Sequence, residues 1–223
     1  MKKSVLLVMA IAFVFSSCSV FQGGTKDKSF TGKVKYKIEY PNSNIPAQAQ
    51  GQLPDNSTLY IKGKKSKTEM ISPMMTRNTI KDTEAMNAVT LLEVMGQKYA
   101  IEQTKEEILE ERDKKDTPEL EYTENTKTIA GYEAREVIVK PEDGEPYSIW
   151  YTPEIGGKTM NFDSPIYKNL DGLPLEFRIE NEQFEMKMTA TEISEEKVSS
   201  DAFNIPDDYE KVTMEELRNM FGG

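Results

Sequence analysis

Histidine is absent from the sequence, and cysteine and tryptophan occur once each, as Cys18 and Trp150. Without histidine there is no Ser-His-Asp triad and no histidine-ligated metal site. One cysteine cannot form a disulfide within the chain, so the burial of apolar side chains must stabilise the fold. GxSxG, HExxH and P-loop motifs are also missing, and we therefore expect a protein that is not an enzyme and that holds no metal or cofactor.

Basic residues are scarce relative to acidic ones, with 28 Lys and Arg against 38 Asp and Glu and a net charge of −10. Such a balance argues against nucleic acid as a partner, because nucleic acid binding needs clustered Lys and Arg. It also argues against adhesion to anionic headgroups through a polybasic patch. Composition alone leaves a two-carboxylate glycosidase open, although no motif places two carboxylates opposite each other.

Long hydrophobic runs are limited to the N-terminus. Lys2 and Lys3 precede an apolar run from Val5 to Phe15, and small residues follow it. A positive start, a short apolar centre and small residues at the end are typical of a secretory signal peptide. A membrane-spanning helix needs about 20 apolar residues, and this run is shorter. We assign residues 1–17 to a signal peptide, with a buried N-terminal helix as the alternative.

The segment Phe15-Ser16-Ser17-Cys18 resembles a bacterial lipobox, in which the cysteine becomes the first mature residue and is acylated. More than one acyl chain gives stable anchoring. The alternative is ordinary secretion with a free thiol, which would invite intermolecular pairing. We predict lipidation at Cys18, a tether over residues 18–29 and one β-rich domain over residues 30–223. No acidic tract follows Cys18, which favours the periplasmic face of the outer membrane.

Short alternating runs dominate the rest of the chain. In Lys33–Tyr40, apolar and charged side chains alternate with the period of two that indicates a half-buried strand. Turn residues such as Gly63, Gly96 and Gly131 separate further runs of this kind. The pattern predicts a mainly β fold: an unclosed antiparallel β-barrel, a curved sheet of about nine to eleven strands with one or two short helices against its concave side.

Two segments have the spacing of a capping box, Thr104 with Glu107 and Thr213 with Glu216, and each predicts a helix start. The first helix is rich in carboxylates, which favours a solvated helix over a metal or acid–base site. In the second, the apolar residues Met214, Leu217, Met220 and Phe221 form a stripe that favours a docking surface over a ligand site.

The C-terminal half contains "IAGY", "WYTPEI", "GLPLEF" and "FNIPDDY" in this order, within Lys127 to Val212. This order resembles a family of bacterial lipoproteins known as domain-of-unknown-function 4412, which looks related to the lipoprotein-carrier fold of LolA and LolB. The resemblance implies an unclosed antiparallel barrel with an apolar concave face. It implies no particular activity, because fold does not fix function.

Aromatic and methionine side chains on the predicted inward faces are candidates to line a ligand cavity. They are Tyr36, Tyr40, Tyr147, Ile149, Tyr151, Phe177, Phe184, Met186 and Met188. One hypothesis is an envelope lipoprotein, held to the membrane through the lipid on Cys18, that binds a lipid or acyl chain in the concavity. The alternative is a non-catalytic structural or interaction lipoprotein with a filled core and an envelope protein as its partner. An open cavity favours the first hypothesis and a filled one the second.

Overall fold

A computed structural model describes residues 30–41, 45–180 and 185–221 of the chain. The predicted signal peptide, Cys18, the tether and the lining candidate Phe184 lie outside the described residues. The described residues form one sheet of twelve strands with short helices. The predicted mainly β, curved and unclosed antiparallel sheet is confirmed.

The N-terminal part of the chain forms an antiparallel meander of six strands that are adjacent in sequence order. These strands are β1 (Thr31–Glu39), β2 (Asn56–Lys62), β3 (Lys65–Ile71), β4 (Met75–Asp82), β5 (Asn87–Val94) and β6 (Gln97–Gln103). In β1 buried side chains alternate with more exposed ones, and Val34, Tyr36 and Ile38 are buried. We call the face of the sheet that carries these three side chains the concave face.

A second antiparallel meander follows. It consists of β7 (Glu119–Ile129), β8 (Tyr132–Lys140), β9 (Tyr147–Thr152), β10 (Leu173–Glu180) and β11 (Glu185–Glu195). Pairing of β11 with β1 joins the two meanders into one sheet in the order β12-β6-β5-β4-β3-β2-β1-β11-β10-β9-β8-β7. The strand β12 (Glu210–Lys211) pairs parallel with β6. Its two residues are too few to show an alternation, which is why the sequence predicts fewer strands.

The described helices are α1 (Ala47–Gln50), α2 (Lys105–Asp113) and α3 (Met214–Phe221), with 3₁₀ turns at Lys158–Asn161 and Ser200–Phe203. Both predicted capping boxes are present. Backbone N–H groups of Thr104 and Thr213 donate to the carboxylates of Glu107 and Glu216 at 2.8 and 2.7 Å, and the threonine hydroxyls accept in return. The capping-box prediction of two helix starts is therefore confirmed.

The concave face is crossed by α2 and by the connection between β9 and β10. Ile108 of α2 is buried against Ala88 and Phe162, and Ala88 lies on the concave face of β5. The Arg112 guanidinium donates to the Phe162 carbonyl at 3.0 Å, and Asp163 forms an ion pair with Lys81 of β4. These contacts fix the connection over residues 153–172 across the sheet, from β9 to β4.

Candidate functional site

Eight of the nine predicted lining residues are described, and the fold brings them to one region of the sheet, from β1 to β9 across β11 and β10. The buried ones are Tyr36, Ile149, Tyr151 and Met188, and the partly buried ones are Tyr40, Tyr147, Phe177 and Met186. All eight pack within two neighbouring clusters of the apolar core. Their gathering was predicted by alternation alone.

Side chains from residues 153–172 fill this region. Tyr167 and Leu170 pack on Ile149 and Tyr151 in one cluster, and Leu170 has no exposed surface. Phe177 stands between two tyrosine rings in edge-to-face contacts, 5.7 Å from Tyr36 and 5.8 Å from Tyr167 between ring centroids. Such ring pairs add to the stability given by their buried area. We call the concave face of β7–β11 with this cover the filled half.

Polar groups inside the filled half have hydrogen-bond partners. The Tyr36 hydroxyl donates to the Pro174 carbonyl at 2.9 Å, and the Tyr167 hydroxyl donates to the Arg178 carbonyl at 2.8 Å. The Asn161 side-chain amide donates to the Gly172 carbonyl at 2.9 Å, which holds the end of the covering connection. Burial raises the pKa of the Tyr36 hydroxyl well above its usual range. Satisfied polar groups and close ring contacts are features of a packed core.

The concave face of β2–β6 is covered near the β2–β3 and β4–β5 turns, where α2 and residues 153–172 pack on Ala88 and Lys81 and where Ile61 is buried, but it is less covered near the β3–β4 and β5–β6 turns. Directly paired residues share one face of an antiparallel sheet, so the registers place Met70, Arg77 and Leu92 beside one another in the same row as Tyr36. Met70, Leu92, Met75 and Val94 are only half-buried, and Arg77 is exposed. We call this surface, which is the part of the concave face of β2–β6 near the β3–β4 and β5–β6 turns, the open half.

A groove of about 440 Å³ lies at the end of the open half, between the β3–β4 and β5–β6 turns. It is lined by residues 72–76 and 93–98, and we call it the methionine groove because Met74, Met75 and Met95 contribute to it. Met74 and Met95 are 55% and 81% exposed. Through Met75 and Val94 the groove is continuous with the concave face. Glu93 and Lys98 also line the groove, which is open to solvent and has both apolar and polar surface.

Met95 occupies an unusual backbone position in this groove. Its φ is 51°, in the left-handed region, and Gly96 follows with a φ of 79°. Hairpin turns of this conformation favour Asn, Asp and Gly, because a Cβ is strained there. Met86 and Ala130, on other turns, have similar φ values of 56° and 48°, and Met95 combines this conformation with a mostly exposed apolar side chain.

A second groove, of about 350 Å³, lies between β6, α2, β12 and α3. Carboxylates of Glu102, Glu107, Glu111 and Glu216 line it, and Lys211 forms an ion pair with Glu102 at 2.7 Å. Glu107 and Glu216 are the two capping residues, so their carboxylates already accept backbone hydrogen bonds. The acidic side chains of α2 are exposed, as expected for a solvated helix.

Within the described residues, no three or more Asp, Glu or Cys side chains are grouped as metal ligands. No helix in the same residues has the length and apolar character required to span a membrane.

Comparison with known proteins relates the chain to others through its fold. No protein-family model and no curated protein matches the sequence. Among solved structures, that of PNGF-II aligns with a TM-score of 0.55 and 14% identity, over 87% of this chain and 34% of PNGF-II. MucB aligns with a TM-score of 0.33 over 82% of this chain and 59% of its own, and the Pseudomonas aeruginosa MucA/MucB complex with 0.35 over 84% and 60%, both at 14% identity. The chain thus spans about a third of PNGF-II, with which it shares the fold alone.

The methionine groove was missed by sequence reasoning because it is formed at turns and strand ends, where alternation gives little information. A signal was nevertheless present, since Met74, Met75 and Met95 stand where hairpin turns usually carry polar residues. Arg77 was missed because the sequence does not show on which face of the sheet a charged residue in a polar strand lies; the strand register shows this.

Proposed function

We propose that this protein is a non-catalytic envelope lipoprotein that binds an apolar ligand, a lipid or an acyl chain, in the methionine groove and the adjoining open half. One observation carries the proposal: two large apolar side chains, Met74 and Met95, are exposed in the lining of a groove of about 440 Å³. Methionine adapts its shape to loosely specified apolar ligands. The sequence predicted a ligand on the lining residues of the filled half. Because residues 153–172 cover those residues, we propose the open half as the ligand site instead.

Anchoring through the lipid on Cys18 and a location on the periplasmic face of the outer membrane are part of the same proposal. The first strand begins at Thr31, which pairs with Lys62 at the end of the sheet opposite the methionine groove. A lipid anchor and tether before β1 would therefore join the sheet at one end, and the methionine groove lies at the opposite end. Metabolic labelling with an alkyne palmitate tests the anchor, with Cys18→Ser expected to lose both the label and the membrane fraction. Persistence of both in Cys18→Ser would exclude it.

Ligand binding is tested with the mature chain and 1-dodecanol, a neutral single-chain probe, measured by displacement of a fluorescent lipid. We expect saturable displacement, weakened about tenfold by the double change Met74→Ser and Met95→Ser, because each exposed methionine would lose its apolar contact. Met220→Ser is the matched control, since Met220 is 51% exposed on α3, away from the groove. Absence of saturable displacement in the unaltered chain would exclude the proposal.

A protein partner is a second candidate function, favoured by α3. Met214 and Met220 are 38% and 51% exposed on this helix, and the acidic groove adjoins Met214. A partner with apolar side chains flanked by basic ones would complement this surface. Deletion of residues 213–223 should remove a crosslink to such an envelope partner without changing the unfolding midpoint. A fall in stability would instead assign α3 to the core.

A further inference from the structure

The two faces of β2–β6 differ in charge. Within these strands, all of which the structure describes, the four acidic residues Glu69, Asp82, Glu93 and Glu102 lie on the outer face. The concave face of the same strands carries Arg77 and Lys81 and no carboxylate. For a chain with a net charge of −10, this is a local reversal of sign. A surface of this kind attracts anions.

Arg77 is the cation that is available on this face. Lys81 forms an ion pair with Asp163, whereas Arg77 has no hydrogen-bond or ion-pair partner among the described residues. Its direct neighbours across the sheet are Met70 and Leu92. An arginine between apolar side chains has nothing to offset the partial loss of its hydration.

Arg77 keeps exposed surface, and desolvation by neighbouring protein atoms lowers the pKa of its guanidinium. The group remains charged, because arginine keeps its proton at any physiological pH.

A second polar group in the same row lacks a partner. Ser57 is 1% exposed, and its hydroxyl has no hydrogen-bond partner among the described residues. Ser57 pairs with Met70, which pairs with Arg77, so the two polar groups are two strands apart, or about 10 Å. Buried hydroxyls without partners are rare, so this row is less completely hydrogen-bonded than the filled half.

Apolar surface continues from Arg77 to the methionine groove. Residues two apart on a strand share a face and lie about 7 Å apart, so Met75 is the next concave side chain after Arg77 along β4. Val94 stands in the same position relative to Leu92 on β5. The open half therefore presents a cation, Arg77, beside a groove lined by the methionines and Val94 together with the charged Glu93 and Lys98.

We infer that Arg77 binds the anionic headgroup of a single-chain amphiphile whose apolar chain lies in the methionine groove. The inference rests on the proposed function, and it adds the chemical class of the ligand: a carboxylate or phosphate headgroup on one acyl chain. A guanidinium suits both, because its planar donors match carboxylate and phosphate oxygens.

The test compares laurate with 1-dodecanol, which have chains of equal length and differ in headgroup charge. The mature chain should bind laurate about tenfold more tightly than 1-dodecanol. Arg77→Gln should abolish this preference and leave the affinity for 1-dodecanol unchanged. Arg135→Gln is the matched control, because Arg135 is exposed and is paired with Glu133 rather than lying on this face. Unfolding midpoints measured on both variants confirm that each is folded.

Each other outcome has a separate meaning. Equal affinity for laurate and 1-dodecanol, unchanged by Arg77→Gln, would overturn the inference and leave the proposed function intact. No binding of either probe would overturn the proposed function. Acetate and inorganic phosphate test the headgroup alone, and Arg77-dependent binding of either with the affinity of laurate would overturn the amphiphile in favour of a small anion. Laurate against lauryl phosphate then separates the two headgroups.

Discussion

The filled half and the open half belong to two meanders of the same architecture, but their concave surfaces are covered to different extents. In the filled half, residues 153–172 cover the strands, and Leu170 and Ile149 have no exposed surface. In the open half, Met70 and Leu92 are half-buried and Arg77 is exposed. Both halves belong to antiparallel meanders, so the difference arises from what lies on the strands rather than from the strands themselves. The filled half stabilises the domain, and the open half is the part of the sheet to which we assign the proposed ligand.

The largest expected effect tests this contrast with one residue type. Leu170→Ala removes a fully buried side chain from the cover, and we expect it to lower the free energy of unfolding by about 3 kcal/mol. Leu92→Ala, in the open half, should cost about 1 kcal/mol, because Leu92 is only half-buried. Urea denaturation of both variants measures the difference. Equal losses would mean that the halves are equally packed.

A backbone change tests how the cover is held. Gly172 has a φ of 154°, and a Cβ there would lie 2.2 Å from the Thr152 carbonyl oxygen, so Gly172→Ala forces the backbone to move. We expect a loss of at least about 2 kcal/mol. Gly51→Ala is the matched control, since nothing lies within 4 Å of its Cβ position, and it should be neutral or slightly stabilising. Thermal unfolding of both variants decides, and a neutral Gly172→Ala would show that the cover is loosely attached.

Tyr36 connects the two halves, because it lies on β1 and its hydroxyl donates to Pro174 of the filled half. Tyr36→Phe leaves that buried carbonyl without its donor and should cost about 1 kcal/mol at neutral pH. Burial raises the pKa of this hydroxyl above its usual value of 10.0. Below pH 10 both states are protonated, so the group adds no pH dependence. Above it only the unfolded state loses the proton, and the free energy of unfolding falls as pH rises.

Tyr36→Phe should therefore show a shallower loss of stability above pH 10 than the unaltered chain. Other tyrosines with raised pKa values, such as Tyr40 and Tyr151, keep part of the slope in both proteins. Urea midpoints across alkaline pH measure the two slopes. Identical slopes would mean that the Tyr36 hydroxyl contacts solvent and does not link β1 to Pro174 of the filled half.

Much of the fold could be predicted because it depends on local alternation. In β1, charged and apolar side chains alternate so regularly that the buried set, Val34, Tyr36 and Ile38, follows from the sequence. Capping boxes at Thr104 and Thr213 are equally local. The cover over residues 153–172 could not be predicted, because its contacts with β4 and β5 depend on tertiary packing and its segment has no periodicity.

The candidate site could be predicted only in part. Alternation identified which side chains face inward, including Tyr151 and Met188, but it does not show what covers them. Whether an inward face is full or open is set by a segment distant in sequence, here Tyr167 and Leu170. The position of Arg77 depends on the β3–β4 and β4–β5 registers, which one sequence does not fix.

The smallest expected effect on stability concerns the turn at the end of the open half. Met95 has a φ of 51°, where asparagine is better tolerated, so Met95→Asn should leave the unfolding midpoint unchanged or raise stability by about 0.5 kcal/mol. The same change should weaken the binding of 1-dodecanol severalfold, because it removes an 81% exposed apolar side chain from the methionine groove. Ala130, also at positive φ on a turn, gives the control Ala130→Asn, which should leave 1-dodecanol binding as it was. If Met95→Asn stabilises the protein and weakens 1-dodecanol binding, Met95 contributes to ligand binding at a cost in stability. If the affinity for 1-dodecanol is unchanged, Met95 is not part of the ligand site.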